Sequence, residues 1–357
     1  MTRFIAAAIV LSTLLVADAQ ERPTGQGFSF RTGVELVNVT ATVTDQSGRF
    51  VEGLTAQDFV LYEDGKPQEI TQFESERVPV SLGIALDTSG SMLGEKIVAA
   101  QAALNRFLID LLGPNDEVFL YRFDGRPTLV QSWTEDRRAL SSALGSVKPN
   151  GGTAMYDTVA EAVPLAQSGS RRKKALVVIS DGNDTSSRTP VNALQQAIRQ
   201  SEVLVYAIGI DASGGQNYSP PPKQSSSPPP PAPSTPRTLP QPSPFPGRAP
   251  PPKAAPPPKP QPPPPPSSSS RSSRSSVDRV NPDALRAITD DSGGRTEIIV
   301  SPRDLDPATA GIADELSRQY FLGYTSTVPK DGRWHTIELR MKRGNHVVRA
   351  RKGFVAS

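Results

Sequence analysis

The chain reads as an α/β protein: a doubly wound, mainly parallel sheet with helices on both faces, plus a small β domain from the N- and C-terminal segments. Three observations predict this. Residues 80–86, 175–180 and 203–210 are continuous apolar runs, as strands buried on both faces must be. Segments with apolar residues at helical spacing stand between them. The two ends of the chain, by contrast, carry strand patterns with no helix between them. Alternation of strand and helix implies crossover connections and a parallel sheet covered on both sides.

Residues 1–19 read as a secretory signal peptide. Arg3 supplies the positive region, Phe4 to Val16 the apolar run, and Ala17-Asp18-Ala19 the cleavage site. The run is short for a transmembrane helix, and no other stretch is apolar enough to span a bilayer. The mature chain, expected from Gln20, has no transmembrane segment. It also has no Cys, so neither a disulfide framework nor a lipidated cysteine anchors it. The expectation is an exported bacterial protein, periplasmic or secreted.

Residues 20–78 form an N-terminal β unit. Val34 to Val43 is rich in β-branched residues, Asp45 to Gly48 makes a turn, and Asp64-Gly65 signals a hairpin. The unit is too small to bury a good core alone. Residues 79–211 hold the first part of the α/β domain. After the strand at 80–86 comes a helix with Ile97, Ala100, Leu104, Phe107, Leu108 and Leu111 on one face, stopped by Gly113-Pro114. A strand at 117–123 has a hairpin partner near 128–131. Thr134 is expected to cap the next helix, with Glu135 and Asp136 at its positive end. A further helix begins after Thr153, and Pro164 should kink or end it. Arg171-Arg172-Lys173-Lys174 reads as a solvated loop before the strand at 175–180. Thr189-Pro190 opens a helix as N-cap and first residue, ahead of the strand at 203–210.

Residues 212–277 break the pattern: they hold about two-thirds of the chain's 37 prolines, many serines, seven Lys and Arg, and no acidic residue. Such a segment cannot bury a core and is expected to be a disordered, basic insertion. It leaves a strand end and returns at a helix start, which puts it on the ligand-binding edge of a parallel sheet. Residues 278–326 resume the α/β domain, with Asn281-Pro282 opening a helix, and residues 327–357 are expected to close as a β-hairpin packed on the N-terminal unit.

The chemistry gathers in three places. Asp87-Thr88-Ser89-Gly90-Ser91 follows an apolar strand, Thr153 lies in Gly151-Gly152-Thr153-Ala154, and Asp181 lies in Ser180-Asp181-Gly182. Both Asp residues stand at carboxyl ends of strands, where ligands bind in such sheets. The set is two carboxylates and three hydroxyls. All are hard oxygen donors, suited to Mg²⁺, with Mn²⁺ and Ca²⁺ acceptable, and not to zinc or copper. It is short of donors for an octahedral ion, so waters or a partner's carboxylate must complete it.

These residues resemble the von Willebrand factor A (VWA) domain and its metal-ion-dependent adhesion site (MIDAS), whose pattern is D-x-S-x-S, a distant Thr and a distant Asp. Asp87, Ser89, Ser91, Thr153 and Asp181 fill all five positions. The resemblance covers about residues 80–325, interrupted by the insertion. The flanks, with Leu54 to Phe59, Tyr62 to Gln68 and Arg349 to Phe354, look like the VWFA-related secreted proteins of acidobacteria. The resemblance implies a Rossmann-like sheet, direct contact of Ser89 and Ser91 with the ion, Asp87 and Asp181 acting directly or through waters, and Thr153 joining or leaving with ligand state.

Other chemistries fit poorly. A phosphotransferase of the haloacid-dehalogenase type needs a second Asp where Ser89 stands. His335 and His346, the only histidines, lie near the C-terminus, away from any Ser-Asp pair, and no Walker A sequence occurs. The net charge of +3 gives no bulk nucleic-acid signal. The function expected is metal-dependent protein binding, not catalysis, with a partner offering Asp or Glu to the ion. The alternative is a scaffold of an exported envelope complex with a mainly structural metal. The basic insertion reads either as a solvated spacer or as a tether for an anionic cell-envelope polymer or a Pro-recognising partner.

Overall fold

The computed structural model describes residues 35–211 and 280–356. The signal peptide and the Pro/Ser-rich insertion expected from the sequence lie outside the described residues. In chain order the elements are β1 (Glu35–Thr44), β2 (Phe59–Glu63), β3 (Lys66–Gln68), β4 (Ile70–Glu74), β5 (Val80–Asp87), α1 (Glu95–Arg106), β6 (Glu117–Phe123) and β7 (Pro127–Thr134). Then come α2 (Arg137–Gly145), α3 (Met155–Gln167), β8 (Lys173–Ser180), α4 (Val191–Gln200) and β9 (Leu204–Ile210). The second part holds α5 (Pro282–Thr289), β10 (Thr296–Ile299), α6 (Leu305–Arg318), β11 (Tyr320–Ser326), β12 (Trp334–Met341), β13 (Val347–Ala350) and β14 (Gly353–Val355). Among the described residues no helix is long and apolar enough to cross a membrane.

A six-stranded sheet, ordered β10-β9-β8-β5-β6-β7, forms the centre. All its pairings are parallel except β6 with the edge strand β7. Every residue of β5 and β9 is buried, which explains their largely apolar sequence, with Ser81 and Asp87 the polar residues of β5. On one face Leu82, Ile84 and Leu86 pack with α1, α2 and α6 through Ala100, Leu104, Leu140 and Ile312. On the other, Ala85, Phe119 and Val178 pack with α3, α4 and α5 through Val159, Leu194 and Leu285. From β5 the chain moves outward to β6, and from β8 it moves the other way to β9. The sheet therefore has its topological switch between β5 and β8, where a crevice opens beyond the strands' carboxyl ends.

The chain's two ends build a second body. Two antiparallel sheets, ordered β13-β1-β11-β4 and β14-β12-β2-β3, share one core of Val37, Val39, Leu61, Leu322, Tyr324, Ile337 and others. The Asp64-Gly65 turn joins β2 to β3 with φ of 48° and 75°, the paired positive values that Asn/Asp-Gly hairpins adopt.

Several local expectations give way here. The C-terminal segment packs on the N-terminal unit, but only partly as a hairpin: β12 pairs antiparallel with β14 and with β2, whereas β13, between them in sequence, pairs with β1 in the other sheet. A two-stranded ribbon buries little, and splitting it between sheets puts both strands on the core. β11, read as part of the α/β domain, pairs with β1 and β4 instead. Asp136, not Thr134, caps α2 by accepting the N–H bonds of Arg138 and Ala139. Pro164 sits in the last turns of α3, which continues to Gln167. Lys173 is no loop residue: it starts β8, is buried, and donates from Nζ to the Leu316 carbonyl at 2.7 Å.

Glu315 of α6 joins the two bodies. Only 2% exposed, it accepts from Tyr206 of β9 at 2.9 Å, from Thr42 of β1 at 3.1 Å, and from Arg295 at 3.0 Å, and it also pairs with Arg349 of β13. Burial alone would raise its pKa, but the two guanidiniums outweigh burial and hold it below its ordinary value. Stability from this group is therefore present above the unfolded carboxyl range and lost as pH falls through the lowered folded value. Glu315→Gln, which leaves the Arg349 guanidinium without its carboxylate and Arg295 with Glu297 alone, is expected to cost about 3 kcal/mol at neutral pH. It should also remove part of the acid slope. Urea melts of both proteins between pH 3 and 7 check this, and equal midpoints would refute the joining role.

Candidate metal centre

β5 and β8 run side by side in register, with Leu86 opposite Ile179, so Asp87 ends one strand beside Ser180 at the end of the other. Asp181 follows immediately, and both carboxylates are fully buried. Asp87 accepts the Ser89 N–H on Oδ1 at 2.8 Å and the Ser180 hydroxyl on Oδ2 at 2.5 Å. The Oγ atoms of Ser89 and Ser91 are 2.9 Å apart. Ser89 is buried and Ser91 half-exposed, so the cluster opens towards solvent on the Ser91 side.

The Thr153 loop is tied to both strand ends by backbone bonds. Asn150 N–H donates to the Thr88 carbonyl at 2.7 Å, and Gly90 N–H donates to the Gly151 carbonyl at 3.0 Å. The Thr153 carbonyl accepts from Thr185 and Ser186 N–H, both at 2.9 Å, in the loop after Asp181. Thr153 itself is buried. Gly182 has φ of 75°, and a Cβ there would stand 2.7 Å from the Asn281 carbonyl, so only glycine lets the chain turn away from Asp181 here. The structure thus brings together the three segments that carry Asp87, Ser89, Ser91, Thr153 and Asp181.

The electrostatics are those of a site short of positive charge. Burial pushes the Asp87 carboxyl up to about 6, the hydrogen bonds from Ser180 and Ser89 pull it down, and the Asp181 charge adds to the rise. Asp181 Oδ1 accepts the Asn183 N–H at 3.2 Å, whereas its Oδ2 is buried with no hydrogen-bond partner. The cation near that oxygen is Lys96 of α1, with Nζ 4.0 Å away and its side chain 9% exposed. An orphaned buried carboxylate oxygen beside a second buried carboxylate and a hydroxyl pair fits a hard divalent cation. Among the described residues no group of three or more His, Cys, Asp or Glu could hold a metal, so this fit depends on the hydroxyls.

Two neighbours of the site escaped the sequence reading. Ser180 had no spacing signal beyond standing before Asp181. Lys96 had one: a cation in the first turn of a helix opposes the dipole there and calls for a nearby anion. His335, by contrast, is engaged far from this edge, with Nδ1 2.7 Å from Asp64 in the β body.

Residues 82–183 match the family model of the von Willebrand factor type A domain, and the chain carries a domain of that kind. The curated relatives include inter-alpha-trypsin inhibitor heavy chain H4 of Bos taurus, 27% identical over 153 residues, and of Homo sapiens, 28% identical over 136 residues. These matches cover 38% and 35% of this chain and span only 17% and 14% of those proteins. Among solved structures, a von Willebrand factor type A protein from Catenulispora acidiphila is 16% identical, covers 90% of this chain and 73% of its own, and gives a TM-score of 0.44. Proximal thread matrix protein 1 from the mussel byssus, in a form with a zinc-occupied MIDAS motif, is 11% identical, covers 71% of this chain and 50% of its own, and gives 0.46.

Because the charged Asp87 is disfavoured in the metal-free site, Asp87→Asn should stabilise the metal-free protein at pH 7. The gain expected is on the order of 1–3 kcal/mol, for a carboxyl that burial pushes up to about 6. Chemical denaturation in chelator measures it, and a loss of stability would show that the carboxylate pair is not under strain.

Proposed function

We propose that this chain is an exported, metal-dependent protein-binding module and not an enzyme. The observation that carries this reading is the buried Asp87–Asp181 pair, with one carboxylate oxygen unpartnered, beside the Ser89–Ser91 hydroxyls, of which Ser91 is partly exposed. Asp87, Ser89, Ser91, Thr153 and Asp181 would hold the ion, with Mg²⁺ the expected occupant and Mn²⁺ or Ca²⁺ acceptable to the same oxygens. When bound, the ion supplies an open coordination position. Ser91, at the solvent edge, faces the side from which a partner's Asp or Glu would reach that position. The non-catalytic part of this reading rests on the donor set of carboxylates and hydroxyls, with His335 engaged by Asp64 in the β body.

The test uses the partner-independent step first. Wild-type protein should bind Mg²⁺ or Mn²⁺ in calorimetry, and Asp87→Ala should bind neither while keeping its circular dichroism. Capture from envelope extract should then occur with Mg²⁺ and vanish with EDTA or in the variant. Unchanged ion affinity in Asp87→Ala would sink the site. Capture indifferent to EDTA would favour the scaffold reading, in which the metal serves structure alone.

The insertion belongs to the same reading. The described residues that flank it stand at the carboxyl ends of the sheet: Asp211 N–H donates to the Ile299 carbonyl at 2.8 Å, and Asn281 N–H donates to the carbonyl of Asp181 itself at 2.8 Å. The chain is thus back beside Asp181 at Asn281, and the charge of the basic segment before it would draw an anionic partner or envelope polymer inward, over roughly 8 Å at physiological salt. Replacing residues 212–277 with a short Gly-Ser loop is expected to slow partner association at low salt and leave ion affinity unchanged. Equal on-rates with and without the segment would make it a spacer.

A further inference from the structure

Lys96 stands where nothing in the five-oxygen pattern requires a residue. It is the second residue of α1, and its side chain is 9% exposed, a burial that lysine almost never adopts without an anion. The helix end around it is already positive, so the local field opposes an ammonium there. The compensation is Asp181: Nζ lies 4.0 Å from Oδ2, the buried oxygen that no hydrogen bond satisfies. At 4.0 Å the two attract without the close contact of a hydrogen-bonded pair. The ammonium therefore offsets charge and leaves the oxygen's lone pairs free.

We propose that Lys96 is a built-in counter-ion of this site, a positioning residue that sets both its metal affinity and the charge of the partner it accepts. The proposal rests on the metal reading above. Without the ion, Lys96 cancels one of the two buried carboxylate charges and keeps Asp181 aimed into the crevice. With a divalent ion present, the two carboxylates and the ion would balance, and Lys96 would leave one positive charge in excess. That excess lies beside the two buried carboxylates in low-dielectric surroundings, where it favours a carboxylate over a neutral oxygen ligand. The same ammonium repels an incoming cation. The site gives up ion affinity and gains a requirement for an anionic partner.

The experiment needs only the ion as probe. Titrating Mn²⁺ into wild type, Lys96→Met and Lys96→Arg by calorimetry, with thermal melts in chelator, separates the two halves of the role. Lys96→Met keeps the unbranched stem and removes the charge; it should bind Mn²⁺ about tenfold or more tighter than wild type and melt at a lower temperature when metal-free. Lys96→Arg keeps the charge and should stay within about threefold of wild type. If Lys96→Met proves unfolded, Lys96→Gln is read in its place. Folded Lys96→Met binding Mn²⁺ no tighter than wild type overturns the proposal while the metal reading stands. Mn²⁺ binding in Lys96→Met alone, with wild type silent, supports it. Folded proteins that all fail to bind Mn²⁺ overturn the metal reading, and this inference with it.

Discussion

Asp87 and Asp181 are two carboxylates with no exposed surface, held at the ends of adjacent parallel strands. Like charges so placed repel, and burial removes the water that would otherwise screen them. Much of the surrounding edge answers that constraint. Ser89 and Asn183 turn their N–H groups onto the carboxylates, Ser180 donates its hydroxyl, and Lys96 brings an ammonium to the oxygen left over. These groups do not fully offset the loss of water: burial first, and the Asp181 charge after it, still hold the Asp87 carboxyl above its ordinary value. A site left short of positive charge by its own fold is ready for a cation to finish.

The rest of the architecture keeps that edge rigid. The switch between β5 and β8 opens the crevice, and the helices of both layers pack the sheet beneath it. The Thr153 loop is bonded to the loops after β5 and β8, so the three donor segments move as one. The β body sits on the far part of the sheet through Glu315, whose four partners come from β1, β9, β13 and the approach to β10. A buried ionic centre of this kind adds little net stability against an apolar alternative, but breaking one side of it is costly, and it fixes how the two bodies meet. Metal edge and body junction thus use the same device, a buried carboxylate with a chosen set of donors, for opposite ends: one left incomplete, the other satisfied.

What the sequence determined by itself is what local chemistry encodes. Unbroken apolar runs marked β5, β8 and β9, because a strand buried on both faces has no polar side to show. Helical spacing marked α1, and Asn281-Pro282 marked the start of α5, where Asn281 accepts the Ala284 N–H as a cap must. The Asp-x-Ser-x-Ser run, Thr153 and Asp181 could be picked out because strand-end position and oxygen chemistry are both written in the residues. Tertiary structure decided everything that depends on which distant segments meet. Nothing local tells β12 and β13 to enter different sheets or β11 to leave the α/β layer, since a short strand pairs wherever its inward face finds a core. Nothing local buries Lys173 or joins Thr42, Tyr206, Arg295 and Arg349 on one carboxylate. Lys96 is the sharpest case: its sequence position only makes it uncomfortable, and its partner, 85 residues away, becomes its neighbour because two parallel strands end at the same edge.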